Sequence, residues 1–151
     1  MSPDRTVLFL DFDGVLHPAG AHRGSGDLVK LPLLEAFLRE PAYQALGIVI
    51  SSTWREAYPL QRLRAFFSED LRTRILGATP VLDEYDSDYP RYEEIKAWLD
   101  RHFGYSTWVA LDDDVEGFPG HRRKTEVFTD SRVGLTAADL DALRLLLAQS
   151  R

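Results

Sequence analysis

Short apolar runs that end in polar residues alternate along this chain with longer stretches whose apolar positions recur every three or four residues. The first run, Val7 to Leu10 in "VLFLDFDGVLHP", is uninterrupted, as expected of a strand covered on both faces. A glycine-rich loop, "HPAGAHRGSGD", follows. "LPLLEAFLRE" then reads as a helix, with Pro32 in its first turn and Leu33, Leu34, Phe37 and Leu38 on one side. Gly47 introduces "IVISS", a β-branched run that predicts a second buried strand. Residues Glu56 to Phe67 read as one helix, with Pro59 early and Leu60, Leu63, Phe66 and Phe67 as its stripe.

The second half repeats the alternation. "RILGATPVL" has room for a short strand. "PRYEEIKAWLDRHF" predicts a helix, with Tyr92, Ile95, Trp98 and Leu99 at helical spacing. "STWVALDDD" and "TEVFTD" predict two more strands. "GLTAADLDALRLLLAQ" predicts a closing helix capped by Thr136, with Leu140, Leu143, Leu146 and Leu147 turned inward. Strands alternating with helices imply an α/β fold: a parallel sheet with helices on both faces. No repeat or linker divides the 151 residues, so a single domain over 1–151 is expected.

In such folds the ligand lies beyond the carboxyl ends of the strands. That rule places Asp11 and Asp13, Ser51 and Ser52, and Asp112 and Asp113 on one rim. Asp11 and Asp13 alternate with Phe12, so both face one way while Phe12 enters the core, and Gly14 permits a sharp turn or the close approach of a ligand. Carboxylates from two strand ends repel unless something relieves them, and a hard divalent cation such as Mg²⁺ does so. The same acids also suit a solvated loop. An EF-hand is disfavoured because its third acid, its closing glutamate and its preceding helix are missing.

"ISSTWR" supplies hydroxyls and backbone N–H groups suited to phosphate oxygens, and Arg55 supplies a charged fork. Ser-Ser-Thr equally suits a turn or helix cap. The helix beginning near Pro90 puts Arg91 at the rim; Lys96, ~7 Å further along the axis, is the second candidate cation.

Composition narrows the field. A hydrophobic share of 44% and a charged share of 28% are those of a soluble globular protein. The absence of cysteine excludes thiol nucleophiles, disulfides and cysteine-bound zinc. A net charge of −6 argues against broad nucleic-acid binding, though not against a local cationic pocket. The N-terminal residues lack the apolar stretch of a secretory signal or a membrane span, so a cytoplasmic protein without membrane contact is expected.

The ordered set "LFLDFDGVL", "IVISS", a basic residue on a helix and "WVALDD" resembles the haloacid dehalogenase-like (HAD) superfamily of phosphohydrolases. More narrowly, "SSTWR", "RYEEIKAWL" and "GLTAADLDAL" are similar to the HAD domain of RNA-repair proteins. The resemblance implies a three-layer Rossmann-like sheet. It also implies a Mg²⁺-dependent phosphatase working through an aspartyl-phosphate, with Asp11 as nucleophile and Asp13 as general acid and base. Ser51 would bind phosphate, with Arg91 or Lys96 as the cation and Ser52 and Arg55 beside the substrate. Asp11, Asp13, Asp112 and Asp113 would form the metal site, Asp113 as outer ligand.

Only 37 residues separate Asp13 from Ser51, which leaves no room for a sizeable cap. In the family, open sites often suit bulky substrates, so a nucleotide or nucleic-acid phosphate end is the expected partner. The loops "AGAHRGSGD" and "EGFPGHRRK", with Arg122, Arg123 and Lys124, are candidate walls. Two alternatives stand beside this one: a phosphoryl-accepting signalling module, and a binding domain that keeps the fold without catalysis. Receiver modules place their acid pair first and the acceptor aspartate later, the reverse of the order here.

Overall fold

The computed structural model describes residues 5–19, 28–82, 88–105, 107–120 and 125–149. The wall loop "AGAHRGSGD" lies outside these residues but for Ala19, and "EGFPGHRRK" lies outside from His121 on, Arg122, Arg123 and Lys124 included. Five strands form one parallel sheet: β1 (Thr6–Leu10), β2 (Gly47–Ile50), β3 (Ile75–Ala78), β4 (Thr107–Asp112) and β5 (Glu126–Phe128). Their order is β3-β2-β1-β4-β5. The chain winds outward from β1 on one side, then returns to add β4 and β5 on the other. The strand order therefore reverses at the β1–β4 pair, where a crevice opens beyond the carboxyl ends.

The helices are α1 (Leu31–Leu38), α2 (Trp54–Ala57), α3 (Leu60–Ala65), α4 (Pro90–Asp100) and α5 (Ala137–Gln149). On one face of the sheet Leu8, Leu10, Ile48, Ile50 and Leu111 pack with Leu34 of α1, Leu63 of α3 and Leu143 of α5. On the other, Val7, Phe9, Val49 and Ala110 pack with Ile95 and Trp98 of α4 and with Phe118. Strand alternation thus sends successive β1 residues into two separate cores. This is the three-layer α/β architecture expected, and the chain has no insertion large enough for a lid domain.

The segment expected as one helix is two. Tyr58 is extended (φ −129°, ψ 138°) and Pro59 caps α3, so the backbone turns between α2 and α3. The proline ring disfavours a helical residue before it, and it has no N–H to continue the ladder. At α5 the expectation holds: Thr136 Oγ1 accepts the Asp139 N–H at 3.2 Å, and Asp139 Oδ2 accepts the Thr136 N–H at 2.9 Å. No helix among the described residues is long and apolar enough to cross a membrane.

Candidate active site

The ladder runs one residue past β1, β2, β3 and β5, and that residue is polar. Asp11 N–H donates to Leu111 O, Ser51 N–H to Leu10 O, Thr79 N–H to Ile50 O and Thr129 N–H to Asp112 O, all at 2.8–3.0 Å. These backbones are held as rigidly as the strands, so the side chains they carry have fixed origins. All four, with Asp112, are buried.

At the switch point, Asp11, Asp112 and Asp113 each present an oxygen, and these atoms lie within 4.8 Å of one another. Asp11 is only 2% exposed, as is Asp112. Burial, then the charge of Asp112, pushes the Asp11 pKa well above the usual carboxylate range, with Arg91 opposing. Burial likewise pushes Asp112 up to about 6, against the pull of Arg91 and of the Asp114 N–H donated to its Oδ1 at 2.9 Å. Three hard oxygen donors, two of them buried carboxylates that resist joint ionisation, are a fitting donor set for a divalent cation. Gly14 makes room for them. Its φ is +77°, and a Cβ there would lie 2.1 Å from Asp113 Oδ2.

Asp13 is not one of the three. The strand ends at Leu10 and the chain turns at Gly14, so the alternation that carries Asp11 and Phe12 does not reach Asp13. Its Oδ1 accepts the Trp54 Nε1–H at 2.9 Å and lies 2.8 Å from His17 Nε2.

The candidate cations differ sharply. Arg91 Nε lies 3.3 Å from Asp112 Oδ2, and its Nη1–H donates to Ser51 O at 2.7 Å. Burial disfavours its charge, but Asp112 and Asp11 outweigh that and hold its pKa above the ordinary value. Lys96 lies about 140° round the helix from Arg91 and is exposed.

The "SSTWR" stretch divides its work. Ser51 is 1% exposed, and its Oγ has no hydrogen-bond partner among the described residues, which marks it as a candidate to meet a ligand. Ser52 is fully buried and its Oγ accepts the Trp54 N–H at 3.2 Å, so it starts α2. Arg55, expected beside the substrate, borders a cleft next to Arg91, and its guanidinium is tied to the fold. It donates to Thr79 O at 2.9 Å, Ser52 O at 2.7 Å, Pro80 O at 3.4 Å and Glu94 Oε2 at 2.8 Å. A planar fork that satisfies carbonyls and a buried carboxylate has little left for phosphate. Replacing Arg55 by Met leaves Glu94 buried without its cation. We expect a loss of about 3 kcal/mol in chemical denaturation, rather than a selective rise in KM.

That cleft of about 230 Å³ opens beside Arg91, and the Arg55–Glu94 pair lines it together with Thr53, Val81, Leu82 and Asp114.

The raised pKa values predict a pH signature. In the metal-free protein Asp11 and Asp112 hold protons more tightly folded than unfolded. Their contribution to stability is therefore full below the unfolded carboxylate pKa of about 4, and is lost as pH rises through about 6. Between pH 5 and 7, metal-free wild type should lose thermal stability relative to Asp112→Asn. The rise in Tm on adding Mg²⁺ should be larger at pH 8 than at pH 5, since protons and cation compete for the same oxygens. Thermal melts across this range, with and without Mg²⁺, check both.

His17 and Trp54 are the site residues that sequence reasoning left without a role. Both stood inside the quoted motifs, but neither is adjacent to Asp13 in sequence. No curated protein and no solved structure shows a significant match to the chain. A family model, that of the HAD domain in Swiss Army Knife RNA repair proteins, matches residues 7–140. That span holds every residue of the site described above. The chain belongs to this family of HAD domains, which carries with it a phosphohydrolase and RNA-repair setting.

Proposed function

We propose that the protein is a Mg²⁺-dependent phosphomonoesterase that works through a phosphoryl group carried on Asp11, with nucleotide or polynucleotide phosphate ends as substrates. The observation that carries this reading is the trio Asp11, Asp112 and Asp113, gathered within 4.8 Å at the switch point of the sheet. Asp11 is the first residue past β1, and its backbone N–H is tied to Leu111 O, which fixes its origin for in-line attack on phosphorus. Asp11, Asp112 and Asp113 would hold the cation. When bound, Mg²⁺ supplies positive charge that lets these carboxylates and a phosphate share one site.

The remaining steps belong to the chain itself. The Ser51 hydroxyl, unpartnered and buried, binds a phosphate oxygen. Arg91, fixed by Asp112 and the Ser51 carbonyl, adds the lasting positive charge beside it. The attack by Asp11 forms its bond to phosphorus as the ester P–O bond breaks, and Asp13 gives the departing oxygen a proton. Asp13 then takes a proton from the water that attacks phosphorus and releases phosphate from Asp11. Without a lid, and with the cleft beside Arg91, the site accepts a phosphate on a large body.

The test is phosphate release from nucleotides, phosphorylated oligonucleotide ends, sugar phosphates and phosphopeptides, with Mg²⁺ and with chelator. Release that needs Mg²⁺ and favours the nucleotide or oligonucleotide substrates is expected. No release from any substrate overturns the proposal.

A further inference from the structure

The opening motif continues past its acids into a histidine, and "SSTW" ends in a tryptophan; in the structure these two rings meet on one atom. Trp54 Nε1–H donates to Asp13 Oδ1 at 2.9 Å, and His17 Nε2 lies 2.8 Å from the same oxygen. The histidine contact is close without the alignment of a hydrogen bond. Trp54 therefore supplies the directional bond and His17 the wall behind it.

Both rings are immobilised. Trp54 is 1% exposed and packed against Phe12 (centroids 5.2 Å), Phe66 (5.5 Å) and His17 (5.7 Å). His17 is 3% exposed, its Nδ1 is 2.8 Å from Pro18 O, and its carbonyl accepts the Gly14 N–H at 2.9 Å. Asp13, between them, has a side chain 40% exposed. Among the described residues its Oδ2 has no partner. A carboxylate this exposed would ordinarily rotate; here one oxygen is held and the other is left to the open side.

We propose that His17 and Trp54 are positioning residues that fix the Asp13 carboxylate with Oδ2 presented to the oxygen leaving phosphorus. This rests on the phosphatase reading above. It also explains why Trp54 follows directly on Ser51–Thr53: one short segment places both the phosphate hydroxyl and the donor that orients the acid. Misplacement of a catalytic group by about 1 Å can cost on the order of 10²-fold in rate, so the clamp has a measurable effect.

The discriminating readout is dependence on the leaving group. Protonation matters for an alkyl phosphate and hardly at all for p-nitrophenyl phosphate, whose phenolate departs unaided. In kcat/KM, which reports transfer from the substrate to the enzyme, Trp54→Phe and His17→Ala should lower the alkyl phosphate value by about tenfold or more. The p-nitrophenyl value should stay close to wild type. His17→Leu, which refills the wall without a donor, should recover most of the loss. Equal losses on both substrates, or none on either, overturn the clamp while leaving the phosphatase reading intact. Wild type inactive on both substrates removes the phosphatase reading and the clamp together. Melting curves accompany each variant; should Trp54→Phe fail to fold, the His17 pair decides by the same comparison.

Discussion

Asp11→Asn should abolish Mg²⁺-dependent phosphate release, with kcat falling by on the order of 10³-fold or more. The amide keeps the shape of the carboxylate but removes the lone-pair charge that attacks phosphorus, and no neighbouring group is placed to replace it. Asp112 is tied to Arg91 and the Asp114 N–H, and Asp13 to Trp54 and His17. The loss should not come from unfolding. In the metal-free protein Asp11 is one of several carboxylates that burial and mutual repulsion disfavour. Removing its charge relieves that strain, so the variant should melt at or above the wild-type temperature without metal. It should also gain less from Mg²⁺. Steady-state kinetics and paired melts separate the two effects. Activity equal to wild type would remove Asp11 from the role of nucleophile.

Gly14→Ala should produce the second large effect, and on two observables at once. At φ +77° an alanine is strained whatever the space around it, at a cost of roughly 1–2 kcal/mol. Its Cβ would also stand 2.1 Å from Asp113 Oδ2 and 2.6 Å from Asp113 Cγ. The carboxylate is the free end of a side chain and can swing aside, so the clash itself costs little in stability. What it costs is the third oxygen of the trio. We expect Mg²⁺ affinity, measured by calorimetry, to fall about 10–100-fold, with a modest loss in denaturant midpoint. A stability loss with unchanged Mg²⁺ affinity would show that Asp113 does not serve the metal.

Much of this chemistry is readable in the sequence. Uninterrupted apolar runs ending in acids announced buried strands, and the rule for parallel sheets put Asp11 and Asp112 on one rim without knowledge of strand order. The position of Arg91 followed from Pro90 opening the helix just before β4. What could not be read depended on where regular alternation stops. Asp13 belongs with Asp11 only while the chain remains a strand, and the sheet ladder stops at Asp11, two residues too early. The bonds that Arg55 makes were hidden for a different reason. Its fork suits phosphate and backbone carbonyls equally well, and its partners Thr79, Pro80 and Glu94 come from distant parts of the chain. The bond from Trp54 to Asp13 likewise joins "SSTW" to the opening motif, a contact that no periodicity encodes. The break at Pro59 was legible in principle, since proline restricts the residue before it.

The central claim is that phosphorus passes through Asp11, and the stereochemical course of the reaction tests it most directly. Two successive in-line displacements, first by Asp11 and then by water, return a chiral phosphate ester to its starting configuration. We predict net retention at phosphorus. Net inversion would mean a single direct attack by water, and would contradict the account.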